Sequence, residues 1–130
     1  ISDLGPANTM SVIDGKGQFL GGAIMAGPRL SADILSTRTS QLPRIELDAP
    51  PKVTGSNTVH CMQSGAIFGH AAMIDGLIDR VEEELGEKVA AVVATGGLSG
   101  RVVPFCRREI TVESDLILHG LRIIYDKNKK

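Results

Sequence analysis

With 130 residues, 42% of them apolar, the chain is long enough for one domain with a real core, which excludes a disordered polypeptide. A net charge of −1, no basic stripe before the last few residues and 3% aromatic content argue against nucleic acid as the main partner. No run approaches the ~20 apolar residues of a bilayer span, and no basic segment precedes an apolar one as in a signal peptide. Cys61 and Cys106 form no metal-spaced cluster and read as free thiols in a reducing, cytoplasmic setting.

The stretch Ile1–Gly27 reads as a three-stranded meander. Ile1–Leu4 ends at Gly5-Pro6, Thr9–Ile13 at Asp14-Gly15-Lys16-Gly17, and Phe19–Met25 at Ala26-Gly27-Pro28. Asp-Gly between two β-prone runs signals a tight turn, because Gly adopts positive φ freely. The meander gathers Asp3, Gly5 and the Ala7-Asn8-Thr9 segment at one hairpin end. A carboxylate, exposed amides and a hydroxyl there suit a metal ion and a phosphate. An ordinary hairpin with Asp3 as a surface charge fits the spacing too.

Pro28–Gln41 has helical spacing at Leu30, Ile34 and Leu35, with Ser31 as cap and Asp33 in the first turn. Arg44–Lys52 alternates and meets Pro50-Pro51, as an exposed connector or edge strand does. Arg29, Arg38 and Arg44 read as solvated charges. Asn57–Leu85 is the longest predicted helix, capped by Asn57 and stopped by Gly86, and roughly 40 Å long. Ile67, Ala71, Ile74, Ile78, Val81 and Leu85 form its apolar stripe, and Asp79–Glu84 face water. Its first half is rich in small residues, among them Gly65, Gly69 and Gly76, which calls for close approach by a helix, the sheet or a second subunit. His60 and His70 have no ligand spacing and carry no function.

Lys88–Ala94 reads as a buried parallel strand, followed by Thr95-Gly96-Gly97 and helical Leu98–Cys106. Strand, glycine pair and helix is a geometry that brings amides to a nucleotide, although turns produce glycine pairs as well. Arg107–Val112 is a further strand. Asp115 caps a last helix whose Ile117, Leu121 and Ile124 pack inward, and Lys127–Lys130 is a frayed tail. Three strands followed by alternating helices and strands imply an α/β fold with a mixed sheet. The chain opens inside a strand without a starting methionine and reads as a fragment of something longer.

Asp3-Leu4-Gly5, TMSVIDGKGQFLGGAIMAGPRLSADIL, RTSQLPRIEL, GSNTVHCMQSGAIFG, DGLIDRVEEELGEKV, ATGGLS and SDLILHGLRIIY together resemble, in register, the second half of type III pantothenate kinases. That family also carries the label Bvg accessory factor, or Baf, with some members named as transcriptional activators. The resemblance implies a ribonuclease-H-like domain of the acetate/sugar kinase, Hsp70 and actin superfamily, with residues 1–130 as the C-terminal half and the N-terminal domain absent. It implies ATP-dependent phosphorylation of pantothenate, the first step towards coenzyme A, with ATP and Mg2+ and a monovalent cation, K+ or NH4+. By the same resemblance Asp3 binds the monovalent cation. Gly5, Pro6 and Thr9 fall on the ATP motif, Thr58 on the pantothenate contact, and Thr95, Gly96 and Gly97 near the adenosine. A homodimer through this domain is implied as well.

Two departures stand out. The first phosphate motif and the general-base Asp belong upstream of residue 1, so no catalytic base is expected here and the half alone is expected to be inactive. Pro6 replaces the motif's Thr and offers neither hydroxyl nor N–H, while Asn8 stands for the first of a Thr pair. The competing reading is a non-catalytic relative whose role is dimerisation or regulation.

Overall fold

The computed structural model describes residues 1–129. The meander forms as its sequence predicts: β1 (Ser2–Leu4), β2 (Ala7–Ile13) and β3 (Phe19–Ala26) pair antiparallel in chain order. The second turn is closed differently. Asp14 Oδ1 accepts from the backbone N–H of Lys16 at 2.9 Å and of Gln18 at 2.8 Å, and the positive φ, 79°, falls on Gly17 rather than Gly15. The chain then forms α1 (Pro28–Arg38), α2 (Thr58–Ser64), a π-helical turn (Gly65–Gly69), α3 (His70–Leu85) and β4 (Val93–Thr95). After these come α4 (Ser99–Val102), a 3-10 turn (Val103–Phe105), β5 (Thr111–Val112) and α5 (Leu116–Asn128). The sheet order is β3-β2-β1-β4-β5, with β4 parallel to both β1 and β5. No helix is long and apolar enough to cross a membrane among the described residues.

The α1 cap is not Ser31 but Gly27. Pro28 stands in the first turn, where its missing N–H loses nothing and its fixed φ suits a helix. At the long helix both predicted ends hold. Asn57 accepts from the His60 N–H at 2.9 Å, and Gly86 ends α3 with φ 73°. The helix is broken in its middle by the π turn, where Gly65 and Gly69 weaken regular α geometry. Among the described residues nothing outside the helix's own backbone comes within 4 Å of a Cβ built on Gly65, Gly69 or Gly76, so the expected close approach is not made at these glycines.

The core joins Leu4, Met10 and Ala94 on one face of the sheet to Ile67, Ala71, Ile74 and Ile78 of the helix stripe. The connector after α1 is neither strand nor fully exposed. Ile45 and Leu47 enter the core, and Arg29 and Arg101 donate to their carbonyls at 3.1 and 2.8 Å. Arg29 is therefore a brace, not a free surface charge. Helix α5 departs furthest from expectation. Ile117, Leu121 and Ile124 are 64%, 57% and 59% exposed, and no residue of the helix is buried. Its apolar stripe is real, but none of the other described elements covers it.

Asp79–Glu84 do not all face water. Glu82 is buried and paired with the Arg108 guanidinium, with Lys88 at 3.2 Å on its other oxygen. Asp75 accepts from the backbone N–H of Arg107 and Arg108 at 2.7 and 3.1 Å, which presents the guanidinium to α3. The hydrogen bond from Arg108, and to a lesser extent Lys88, holds the Glu82 carboxyl below its ordinary value of 4.5 despite burial. A depressed carboxyl contributes stability that is present above its unfolded pKa and lost as pH falls through the folded one. The urea midpoint of the wild type should exceed that of Glu82→Gln at pH 7, and the gap should close as pH drops below 4.5. A gap independent of pH would show that the ion pair contributes nothing.

Candidate functional site

The strand register brings three of the predicted residues into one row. Asp3 is paired with Thr9 on β2 and with Thr95 on β4. Paired residues on neighbouring strands share a face and lie about 5 Å apart, so the three side chains stand side by side. Successive residues alternate faces, which leaves Ser2 and Leu4 in the core and sets Asp3 on the opposite side. Asp3 and Thr9 are half-buried, and Thr95 is buried.

Two glycines press on the Asp3 carboxylate. A Cβ on Gly5 would lie 3.7 Å from Asp3 Oδ1, and one on Gly96 only 2.7 Å from it and 2.6 Å from the Leu4 carbonyl carbon. Gly96 has φ +97°, so both its conformation and its contacts require glycine. Behind it the Leu98 N–H donates to the Leu4 carbonyl at 3.2 Å, which ties the start of α4 to the end of β1. Gly97 lies open, with nothing near a Cβ built on it. Pro6 is exposed in the β1–β2 turn, and its carbonyl accepts from the Gly27 N–H at 3.0 Å. The row thus lies at the sheet end where α1 and α4 both begin.

Among the described residues no group donates a hydrogen bond or forms an ion pair to the Asp3 carboxylate. An unengaged carboxylate beside glycine backbone and two threonine hydroxyls is a hard-oxygen donor set, which fits an alkali or similar cation.

Thr58 stands apart. It is the exposed first residue of α2, twelve residues before His70. His70 anchors α3 to the sheet, with its Nε2 3.2 Å from the Ala26 carbonyl. Thr58 therefore projects about 18 Å along the helix beyond that anchor, past the end of the sheet that carries Asp3. His70 is a structural tether rather than an idle residue. Cys61 and Cys106 are free thiols, and burial pushes the Cys106 thiol up to about 11, which keeps it protonated and inert.

Two residues of this region escape a reading of the sequence. Ser99 is buried and donates from Oγ to the Gly96 carbonyl at 2.7 Å, holding the glycine turn. A serine three residues after a Gly-Gly start was the available signal. Gly27 is the other. A Cβ there would lie 2.5 Å from the Gly5 carbonyl oxygen and 2.7 Å from that of Pro6. The sequence marks it as the end of the third strand, not as this close approach.

The family model for type III pantothenate kinase matches residues 1–80. The chain belongs to that family. It is 44% identical over 128 residues to a type III pantothenate kinase of Moorella thermoacetica, covering 98% of this chain and 50% of the relative. To that of Exiguobacterium sp. it is 44% identical over 130 residues, covering 100% and 50%. The chain spans about half the length of the curated relatives it matches. Among solved structures, a conserved Baf family protein of Campylobacter jejuni, described as a candidate transcriptional activator, superposes with a TM-score of 0.67. It is 22% identical, with 98% of this chain and 56% of that one covered, a likeness of fold.

Proposed function

We propose that this family member is the C-terminal half of an ATP-dependent pantothenate kinase and supplies one wall of its nucleotide cleft. The observation that carries the reading is the row Thr9–Asp3–Thr95, with Gly5 and Gly96 against the Asp3 carboxylate. In this reading Asp3 holds a monovalent cation, K+ or NH4+. Gly5, Thr9, Thr95, Gly96 and Gly97 line the path of ATP and its Mg2+, and Thr58 reaches pantothenate from beyond the sheet. The strand order, with β2 running opposite to the other four strands, supports a ribonuclease-H-like domain of the acetate/sugar kinase, Hsp70 and actin superfamily. The exposed apolar stripe of α5 fits a surface covered by the half of the family's length that this chain does not span. The uncontacted glycines Gly65, Gly69 and Gly76 leave room for a second subunit, and a homodimer through that face is part of the proposal. Residues 1–130 alone are inactive in this reading, because the general base and the opposite phosphate contacts lie in the other half. The setting is the cytoplasm.

Pro6 favours a second reading. It carries no hydroxyl and no N–H, so it cannot donate to a phosphate. A non-catalytic relative with a dimerisation or regulatory role would tolerate it. A coupled assay on the full-length product of the reading frame, with pantothenate, ATP and potassium, separates the two. Turnover is expected, and Pro6→Thr should raise it. No turnover in either protein would remove the enzyme reading.

A further inference from the structure

One strand beyond the Asp3 row, β5 runs parallel to β4, with Thr111 beside Val93 and Val112 beside Ala94. The Glu113 N–H then donates to the Ala94 carbonyl at 2.8 Å, so the register runs on and Glu113 comes beside Thr95. Paired residues share a face, which puts Glu113 on the side of the sheet that carries Asp3, Thr9 and Thr95. It stands two strand spacings, about 10 Å, from Asp3. Strands β1, β4 and β5 are parallel, and their C-terminal ends meet here, the edge at which open α/β sheets hold ligands. Glu113 is half-buried, and its Oε1 accepts from the Asp115 N–H at 3.1 Å, which fixes the carboxylate. Among the described residues no other group donates to it and no cation pairs with it.

Given the nucleotide wall on which this rests, with Thr95, Gly96 and Gly97 near the adenosine, we propose that Glu113 accepts hydrogen bonds from the vicinal ribose hydroxyls and selects ribonucleotides. A vicinal diol is a pair of neutral donors, and a carboxylate has acceptor capacity for both. Hydrogen bonds to an ionised acceptor are the strong kind. A phosphate does not fit there, because the Asp115 carboxylate lies within 4.8 Å of that of Glu113 and both would repel it. The two ends of the wall thus differ in kind. Asp3 needs a cation between itself and phosphate, whereas Glu113 meets the uncharged sugar directly. Their separation is comparable with that of the outer phosphates from the ribose in an extended nucleoside triphosphate.

The test compares ATP with deoxy-ATP and dideoxy-ATP in the coupled pantothenate assay on the full-length protein. For the wild type, KM is expected to be about ten-fold higher for dideoxy-ATP, which lacks both hydroxyls, with deoxy-ATP between. Glu113→Ala should bring the KM values together by raising that for ATP. Glu113→Gln keeps the size and one acceptor oxygen without the charge, and should discriminate by about three-fold or less. It decides alone if Glu113→Ala does not fold. Equal KM values in the wild type, or undiminished discrimination in the variants, overturn the assignment and leave the kinase reading standing. An equal loss with all three nucleotides would give Glu113 a structural or metal-binding role and overturns it too. Absence of turnover with ATP in the wild type removes the nucleotide wall, and the role of Glu113 with it.

Discussion

Asp3→Ala in the full-length protein is expected to lower kcat/KM for pantothenate phosphorylation by about two to three orders of magnitude. The carboxylate is the one negative group in the row, and no protein group among the described residues neutralises it. A cation held there sits beside the two threonine hydroxyls and the glycine amides that the proposed reading assigns to ATP. In that reading its loss leaves phosphate charge uncompensated as the transition state forms. Asp3→Asn is the sharper variant, because it keeps size and packing against Gly5 and Gly96 while removing the charge. It should leave the thermal midpoint near wild type, abolish the response of rate to potassium, and retain little activity. Wild-type activity in Asp3→Asn, with an unchanged potassium response, would return Asp3 to the role of a surface charge.

The row was legible in part because strands alternate by rule. A meander turning at Gly5-Pro6 gathers Asp3 and the Ala7-Asn8-Thr9 segment at one end, but a two-residue turn would pair Asp3 with Asn8; the observed register, Leu4 with Asn8 and Asp3 with Thr9, leaves three residues in the loop. The parallel strand leading to Thr95 was readable only in its last residues: expected as a buried strand over Lys88–Ala94, it forms at Val93–Thr95, and Lys88, Ala90 and Ala91 are exposed. Caps at Asn57 and Gly86 could be read for the same reason, since the chemistry is local. What the sequence hid depends on distant partners. Glu82 looks solvated until Arg108, presented by Asp75, reaches it across 26 positions of chain. Helix α5 shows an apolar stripe in either case, and periodicity says that a face needs cover without saying who covers it. The Arg44–Lys52 stretch could not be resolved because its backbone bonds go to Arg29, Gln63 and Arg101 side chains instead of a strand. Thr58, which the proposed reading gives to pantothenate, lies apart, and its distance from the row follows from where His70 pins the helix, which no local pattern encodes.

The largest effect on the fold itself is expected at Gly96. Alanine there must adopt φ +97° and place a Cβ 2.6 and 2.7 Å from Leu4 backbone atoms. The unfavourable conformation costs about 1–2 kcal/mol, and forcing a methyl group into packed backbone adds about 1–3 kcal/mol. Leu4 cannot give way, since it is fully buried and its carbonyl accepts from Leu98. Asp3 Oδ1, at 2.7 Å, is the one side-chain atom among the three nearest, so the same methyl group that destabilises the fold also displaces the carboxylate. Gly96→Ala should therefore lower the urea midpoint by an amount equivalent to roughly 2–5 kcal/mol and the thermal midpoint by on the order of 10 °C. Gly97→Ala is the matched control, with ordinary φ and open space, and should shift stability by less than about 1 kcal/mol. In the full-length protein Gly96→Ala should also raise the potassium concentration needed for half-maximal rate at temperatures where the fold persists. Equal stability of the two alanine variants would mean that β1 and the β4–α4 turn do not approach as closely as the register of Asp3 with Thr95 requires.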